Sequence, residues 1–234
     1  MSQGLELKFP ETHLPPDDWR KENLFPETHE DDMGETTIHY DLISDFIKML
    51  KLFFLGQPDI FIAANLNFYY DENDSKKYYI PDIMIAFGVS NHSRKTYKLW
   101  EEKLCPQVVF EVASESTWKK DITDKVEDYE KLGVEEYYIL DSENLYLSLP
   151  LMAYRRDETG RFRLVVTETE RIFSPLLGLE IVRTENRFRL FDPEKQEFLL
   201  TAEEAQKKVD EVQLENEHLK AELDRLKAEL KKQN

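Results

Sequence analysis

Two acids stand inside apolar, strand-forming runs of this sequence: Asp82 within Tyr79-Ile80-Pro81-Asp82-Ile83-Met84-Ile85-Ala86-Phe87, and Glu111 within Val108-Val109-Phe110-Glu111-Val112. Apolar runs of this length bounded by turn residues read as buried strands. An ionised carboxylate inside one is costly unless a cation meets it. Two such carboxylates on neighbouring strands can share a divalent metal, because hard cations such as magnesium take carboxylate, carbonyl and water oxygens. The plainer alternative leaves one acid in water at a strand end and pairs the other with a lysine, since structural ion pairs perturb acids as well. Two further groups belong to the same discussion. Glu35 lies four residues before His39 at the start of a helical pattern, so the two share a face. Lys125 lies about two turns into a helix that follows the Glu111 strand. Brought together, the carboxylates of Glu35, Asp82 and Glu111 would hold one or two magnesium ions, the metal would polarise a phosphodiester, and Lys125 would orient or help deprotonate a water.

The elements that must position these groups follow from periodicity. Ile38, Leu42, Ile43, Phe46, Ile47, Leu50 and Phe54 recur at three- and four-residue spacing, which predicts a helix over 35–55 that stops near Gly56 and Pro58. Strands are expected over 60–70 and 76–87, joined as a hairpin by Asp71-Glu72-Asn73-Asp74-Ser75. After Glu111 a helix is expected over 119–132, with Asp121, Lys125 and Tyr129 on one face, then Gly133 as its left-handed cap and a strand over 134–140. Strand, helix and strand on short links form a crossover with parallel strands, an α/β signature. Residues 144–200 read as short half-exposed strands.

Basic residues cluster with aromatics in Asn91-His92-Ser93-Arg94-Lys95-Thr96-Tyr97-Lys98-Leu99-Trp100. Such a surface suits single strands or phosphate backbones, and a solvated loop explains it equally well. Arg94, Lys95, Lys98, Lys119 and Lys120 are the candidate nucleic-acid contacts.

The tail differs in kind. Ala205, Val209, Val212, Asn216, Leu219, Leu223, Leu226 and Leu230 alternate by four and three, the spacing of a coiled coil. With Val209 at position a, Asn216 also falls at a, where asparagine favours an in-register pair. Glu215 and Glu222 fall at g, with Lys220 and Lys227 at e, as a parallel homodimer through 205–230 requires. A lone charged helix, or one packed on its own domain, is the alternative.

The formal charge of −17 excludes a protein that coats nucleic acid by bulk electrostatics, though not a local basic strip. A 41% hydrophobic content supplies a core. The single Cys105 rules out an internal disulfide framework and fits a reducing cytoplasm. The absence of an apolar leader or of a run approaching ~18 apolar residues predicts a cytoplasmic protein with no membrane partner.

Pro81-Asp82 followed by Phe110-Glu111-Val112 resembles the PD-(D/E)XK nuclease pattern. More closely, the chain resembles the Uma-two family of restriction-endonuclease-like proteins. The resemblance is carried by Met33-Gly34-Glu35-Thr36 with His39, Pro81-Asp82, Tyr97-Lys98-Leu99-Trp100-Glu101-Glu102, Glu111-Val112 with Ser114, Ser116-Thr117, Asp121, Lys125, Tyr129 and Gly133-Val134-Glu135-Glu136-Tyr137. It implies a restriction-endonuclease-like core, a central mixed β-sheet flanked by helices, to which the tail adds a C-terminal coiled-coil helix. The expected divisions are an extended arm over 1–30, the nuclease-like domain over 31–200 and the coiled coil over 201–234. The family further implies magnesium or manganese held by Asp82 and Glu111 with a contribution from Glu35, and a nucleic acid, DNA foremost, as substrate. The wider pattern has a lysine two residues after the glutamate. Ala113 stands there, and Lys125 matches a lysine on the following helix that takes its place in this family. The competing expectation is a non-catalytic binding or assembly protein that keeps the fold and dimerises through its tail.

Overall fold

The computed structural model describes residues 36–167, 169–185 and 187–233. Thr36 caps the first helix, α1 (Thr37–Phe53), its hydroxyl accepting from the His39 amide. Most of the apolar stripe read from the sequence is buried, with Phe46 and Leu50 fully enclosed, but Ile38 at its start is exposed and Ile47 half-buried.

Six strands form the central sheet: β1 (Ile60–Ala64), β4 (Ile83–Phe87), β6 (Val108–Val112), β7 (Glu136–Leu140), β8 (Leu151–Arg156) and β9 (Phe162–Leu164), in that spatial order. All neighbours are antiparallel except β6 and β7, which run parallel. The connection between those two carries the helices α3 (Trp118–Asp121) and α4 (Asp124–Leu132), so the expected crossover is present. Gly133 closes α4 at φ 98°, a conformation open to glycine without steric cost.

Both faces of the sheet are covered, which is why its strands read as continuous apolar runs. On one face Ile83, Phe110, Tyr138 and Leu140 pack against α1 and against a four-stranded sheet. That sheet comprises β10 (Arg171–Ser174), β11 (Leu179–Arg183), β12 (Phe188–Asp192) and β13 (Glu197–Phe198). On the other face Met84, Val109, Tyr137 and Ile139 pack with Tyr129 of α4 and with Phe68 and Tyr97. The last two belong to a small sheet of β3 (Tyr78–Tyr79), β2 (Phe68–Tyr69) and β5 (Tyr97–Lys98). A one-turn helix, α2 (Leu99–Glu102), follows β5.

Three expected elements are each divided in two. The strand over 60–70 breaks at Asn65, whose φ of 49° is left-handed and ends the ladder. The strand over 76–87 breaks at Pro81-Asp82, where proline has no amide to donate. Their hairpin therefore spans two sheets, β1 with β4 and β2 with β3. The helix over 119–132 breaks at Ile122-Thr123, where Thr123 takes φ −123°, ψ −90° and its hydroxyl donates to the Lys119 carbonyl.

The chain ends in α5 (Ala202–Gln233). Thr201 and Glu204 form a capping box at its start, and Arg189 of β12 grips Glu204 from the sheet. From Gln206 to Lys227 every residue is exposed. Among the described residues no helix is long and apolar enough to cross a membrane.

Candidate active site

The β4–β6 register pairs Ile83 with Phe110, so Asp82 and Glu111 stand opposite each other just past the last paired residues. Glu111 projects to the α4 side, opposite to Phe110, as period-two alternation requires. Here the side chains take over the ladder: Asp82 Oδ2 accepts from the Val112 amide at 2.6 Å, and the Asp82 amide lies 3.4 Å from Glu111 Oε2. Each acid thus holds the other's strand.

Glu111 is 2% exposed. Its Oε1 accepts from the Tyr129 hydroxyl at 2.8 Å and meets Lys125 Nζ at 3.0 Å, both from α4. The same ammonium lies 2.8 Å from Asp121 Oδ1, at the end of α3. His39, in the first turn of α1, brings Nε2 to 3.4 Å from Asp82 Oδ1. Glu111 and Asp121 therefore share Lys125, while Asp82 meets His39.

Electrostatics follow from that crowding. Burial pushes the Glu111 carboxyl up to about 8 against the pull of Lys125, and the neighbouring Asp82 and Asp121 add to the rise. Burial also raises Asp121, opposed by Lys125. Burial alone would lower Lys125, but Glu111 and Asp121 more than offset it and hold the ammonium above the ordinary lysine range. Lys125 is a fixed cation.

Of the residues singled out in the sequence, Asp82, Glu111 and Lys125 come together. Glu35 lies outside the described residues. Lys119 and Lys120 are exposed on α3, in the turn that carries Asp121. Arg94 turns inward: its guanidinium lies 3.9 Å from the Phe61 ring centre, pairs with Glu102 and donates to the Ser90 carbonyl. Lys98 pairs with Glu101, and Lys95 is exposed. Both halves of the plainer reading have a counterpart, since Glu111 pairs with a lysine and Asp82 sits at a strand end. Asp82 is nonetheless only 13% exposed by side chain, so it is not an acid in open water. His39, Asp121 and Tyr129 join the site without having been assigned a chemical part. For the last two the signal was their four-residue spacing about Lys125.

The donor set suits a hard cation. Among the described residues no three metal-binding side chains converge, but magnesium needs only one or two carboxylates, with waters and substrate oxygens completing its shell. Asp82 and Glu111 supply such a pair.

The family described as "Uma2: Putative restriction endonuclease" matches residues 13–185. Among solved structures, a chain described as "a putative nuclease belonging to DUF820 from Anabaena variabilis" is similar at 13% identity with a TM-score of 0.45, over 69% of this chain and 89% of that chain. No curated protein matches.

Proposed function

The chain belongs to the Uma2 family, and from this premise we propose that it is a metal-dependent endonuclease that hydrolyses nucleic-acid phosphodiesters. The observation that carries the reading is the meeting of Asp82, Glu111 and Lys125 at one strand end, with Lys125 Nζ 3.0 Å from Glu111 Oε1.

Asp82 and Glu111 would hold magnesium or manganese, with Glu35 as a third acid. The metal would supply Lewis-acid polarisation of the phosphodiester and a lowered pKa for an attacking water. Lys125, a cation fixed between Glu111 and Asp121, orients that water and offsets the charge that develops on the phosphoryl oxygens. Tyr129 keeps Glu111 in place, and His39 does the same for Asp82. Lys119 and Lys120, exposed beside Asp121, meet the substrate backbone. The tail brings two copies together: Val209, Val212, Leu219, Leu223 and Leu226 are 47%, 48%, 56%, 50% and 50% exposed, an unburied stripe at the spacing a parallel partner would cover.

The test is a nicking assay on supercoiled DNA, single-stranded DNA and RNA with magnesium or manganese. Cleavage should disappear in Glu111→Gln and Lys125→Ala and fall in Glu35→Ala. Cleavage that survives the first two variants would sink the assignment. Truncation after residue 200 should leave a monomer, and an unchanged solution mass would remove the homodimer.

A second reading keeps the fold without the chemistry. The ion pair between Glu111 and Lys125 gives the buried carboxylate a cation from within the chain. Ala113, 3% exposed, occupies the place of the lysine in the wider nuclease pattern. A folded parent that cuts no substrate would favour this reading.

A further inference from the structure

The small sheet beside the site has two unlike faces. Register sets Tyr78, Tyr69 and Lys98 in one row across its three strands, and Tyr79, Phe68 and Tyr97 in the next. Residues directly opposite each other share a face, and adjacent rows face opposite ways. The second row is the inner one. Phe68 and Tyr97 are fully buried, and the Tyr79 ring lies 5.2 Å from that of Tyr129, whose hydroxyl holds Glu111. The Tyr79 hydroxyl also donates to Asp128 of α4. The sheet is thereby fixed to the helix that carries Lys125.

The first row faces outward. Tyr78 is 41% exposed, its ring 5.3 Å from that of Tyr69, and Lys98 completes the line. Among the described residues Lys98 pairs with an exposed partner, Glu101, and an exposed pair of this kind stabilises little and is given up cheaply. Tyr78 lies four residues before Asp82 in extended chain, so the row begins within about 14 Å of the site.

We propose that Tyr69, Tyr78 and Lys98 form a stacking platform for unpaired bases of a single-stranded nucleic acid whose backbone continues to Asp82 and Glu111. The inference rests on the nuclease reading and specifies its substrate class. Two arguments favour single strands over duplex. A ring can stack on a base only when the base is unpaired, and such stacking is tolerant of sequence because every base has a π-face. A chain of net charge −17 also gains little from phosphate neutralisation, so affinity must come from contacts that do not depend on charge. Lys98 then serves as the local cation for one phosphate.

The experiment is anisotropy of a labelled single-stranded DNA, its RNA counterpart and the matching duplex, all in EDTA so that binding is read without cleavage. Single strands should bind more tightly than duplex, with a shallow salt dependence, and the DNA and RNA arms identify the natural strand. Tyr69→Ala/Tyr78→Ala should weaken single-strand binding by at least about tenfold, while Tyr78→Phe keeps it. If the double variant does not fold, Tyr78→Ala alone, at an exposed position, carries the test. Equal binding by the alanine variants, a preference for duplex, or no binding to any oligonucleotide would overturn the platform, the last pointing to a protein on this face. Binding by a parent that never cuts would break the nuclease reading and leave the platform standing. Cutting that is indifferent to both tyrosines would do the reverse.

Discussion

Glu111 and Leu219 each sit in the solvent that their chemistry disfavours: the acid is 2% exposed inside an apolar strand, and the leucine is 56% exposed on a helix. The two regions resolve the mismatch differently. Around Glu111 the chain supplies the missing partners itself, with Lys125 and Tyr129 from α4 and the Asp82 amide from the neighbouring strand. Along α5 the polar groups pair locally, as Arg225 does with Glu229, and the apolar stripe stays exposed. The buried polar group is therefore answered within the fold, whereas the exposed apolar row is not.

The comparison can be sharpened by removing one partner in each region. The largest effect belongs to Lys125→Met, which leaves Glu111 and Asp121 buried without their cation. We expect a loss of about 3–5 kcal/mol in urea unfolding, and a loss under about 1 kcal/mol would show that the lysine does not hold the pair together. Next comes magnesium itself, which should stabilise the parent by about 2.7 kcal/mol at roughly a hundred times its Kd and leave Asp82→Asn unmoved. An equal gain in both would place the ion elsewhere. Tyr129→Phe should cost about 1.5–3 kcal/mol, the worth of a buried hydrogen bond to a charged acceptor. Smallest for the domain is Leu219→Ser, which should change its unfolding free energy by less than about 0.5 kcal/mol while light scattering reports a loss of dimer. A large fall in domain stability there would mean that α5 packs on its own domain.

Much of this was legible beforehand, for reasons that differ from place to place. The α1 stripe was readable because its apolar spacing alone fixes its buried face. The parallel β6–β7 crossover was readable because a strand, a helix, a glycine cap and a strand on short links leave few other connections. The division of the two long strands was not. Asn65 breaks its strand through a backbone conformation that asparagine permits but does not demand. Pro81 interrupts its strand where the chain changes sheets, a choice that depends on tertiary neighbours. The convergence of Asp82, Glu111 and Lys125 followed from strand and crossover logic. The inward turn of Arg94 did not, because a guanidinium over Phe61 reads in sequence like any loop arginine. His39 at Asp82 was hidden for a related reason, since its contact joins two elements separated by more than forty positions of chain.

The Asp82 carboxylate that accepts the Val112 amide stands where a ladder hydrogen bond would otherwise be, and this limits how the site can decay under mutation. A change such as Asp82→Ala removes an acceptor that a strand end relies on, so drift away from chemistry at this position also loosens the sheet. Asp82→Asn keeps an oxygen for Val112 and surrenders only the charge. A laboratory variant meant to remove the charge at this position without unfolding the protein should follow the same route.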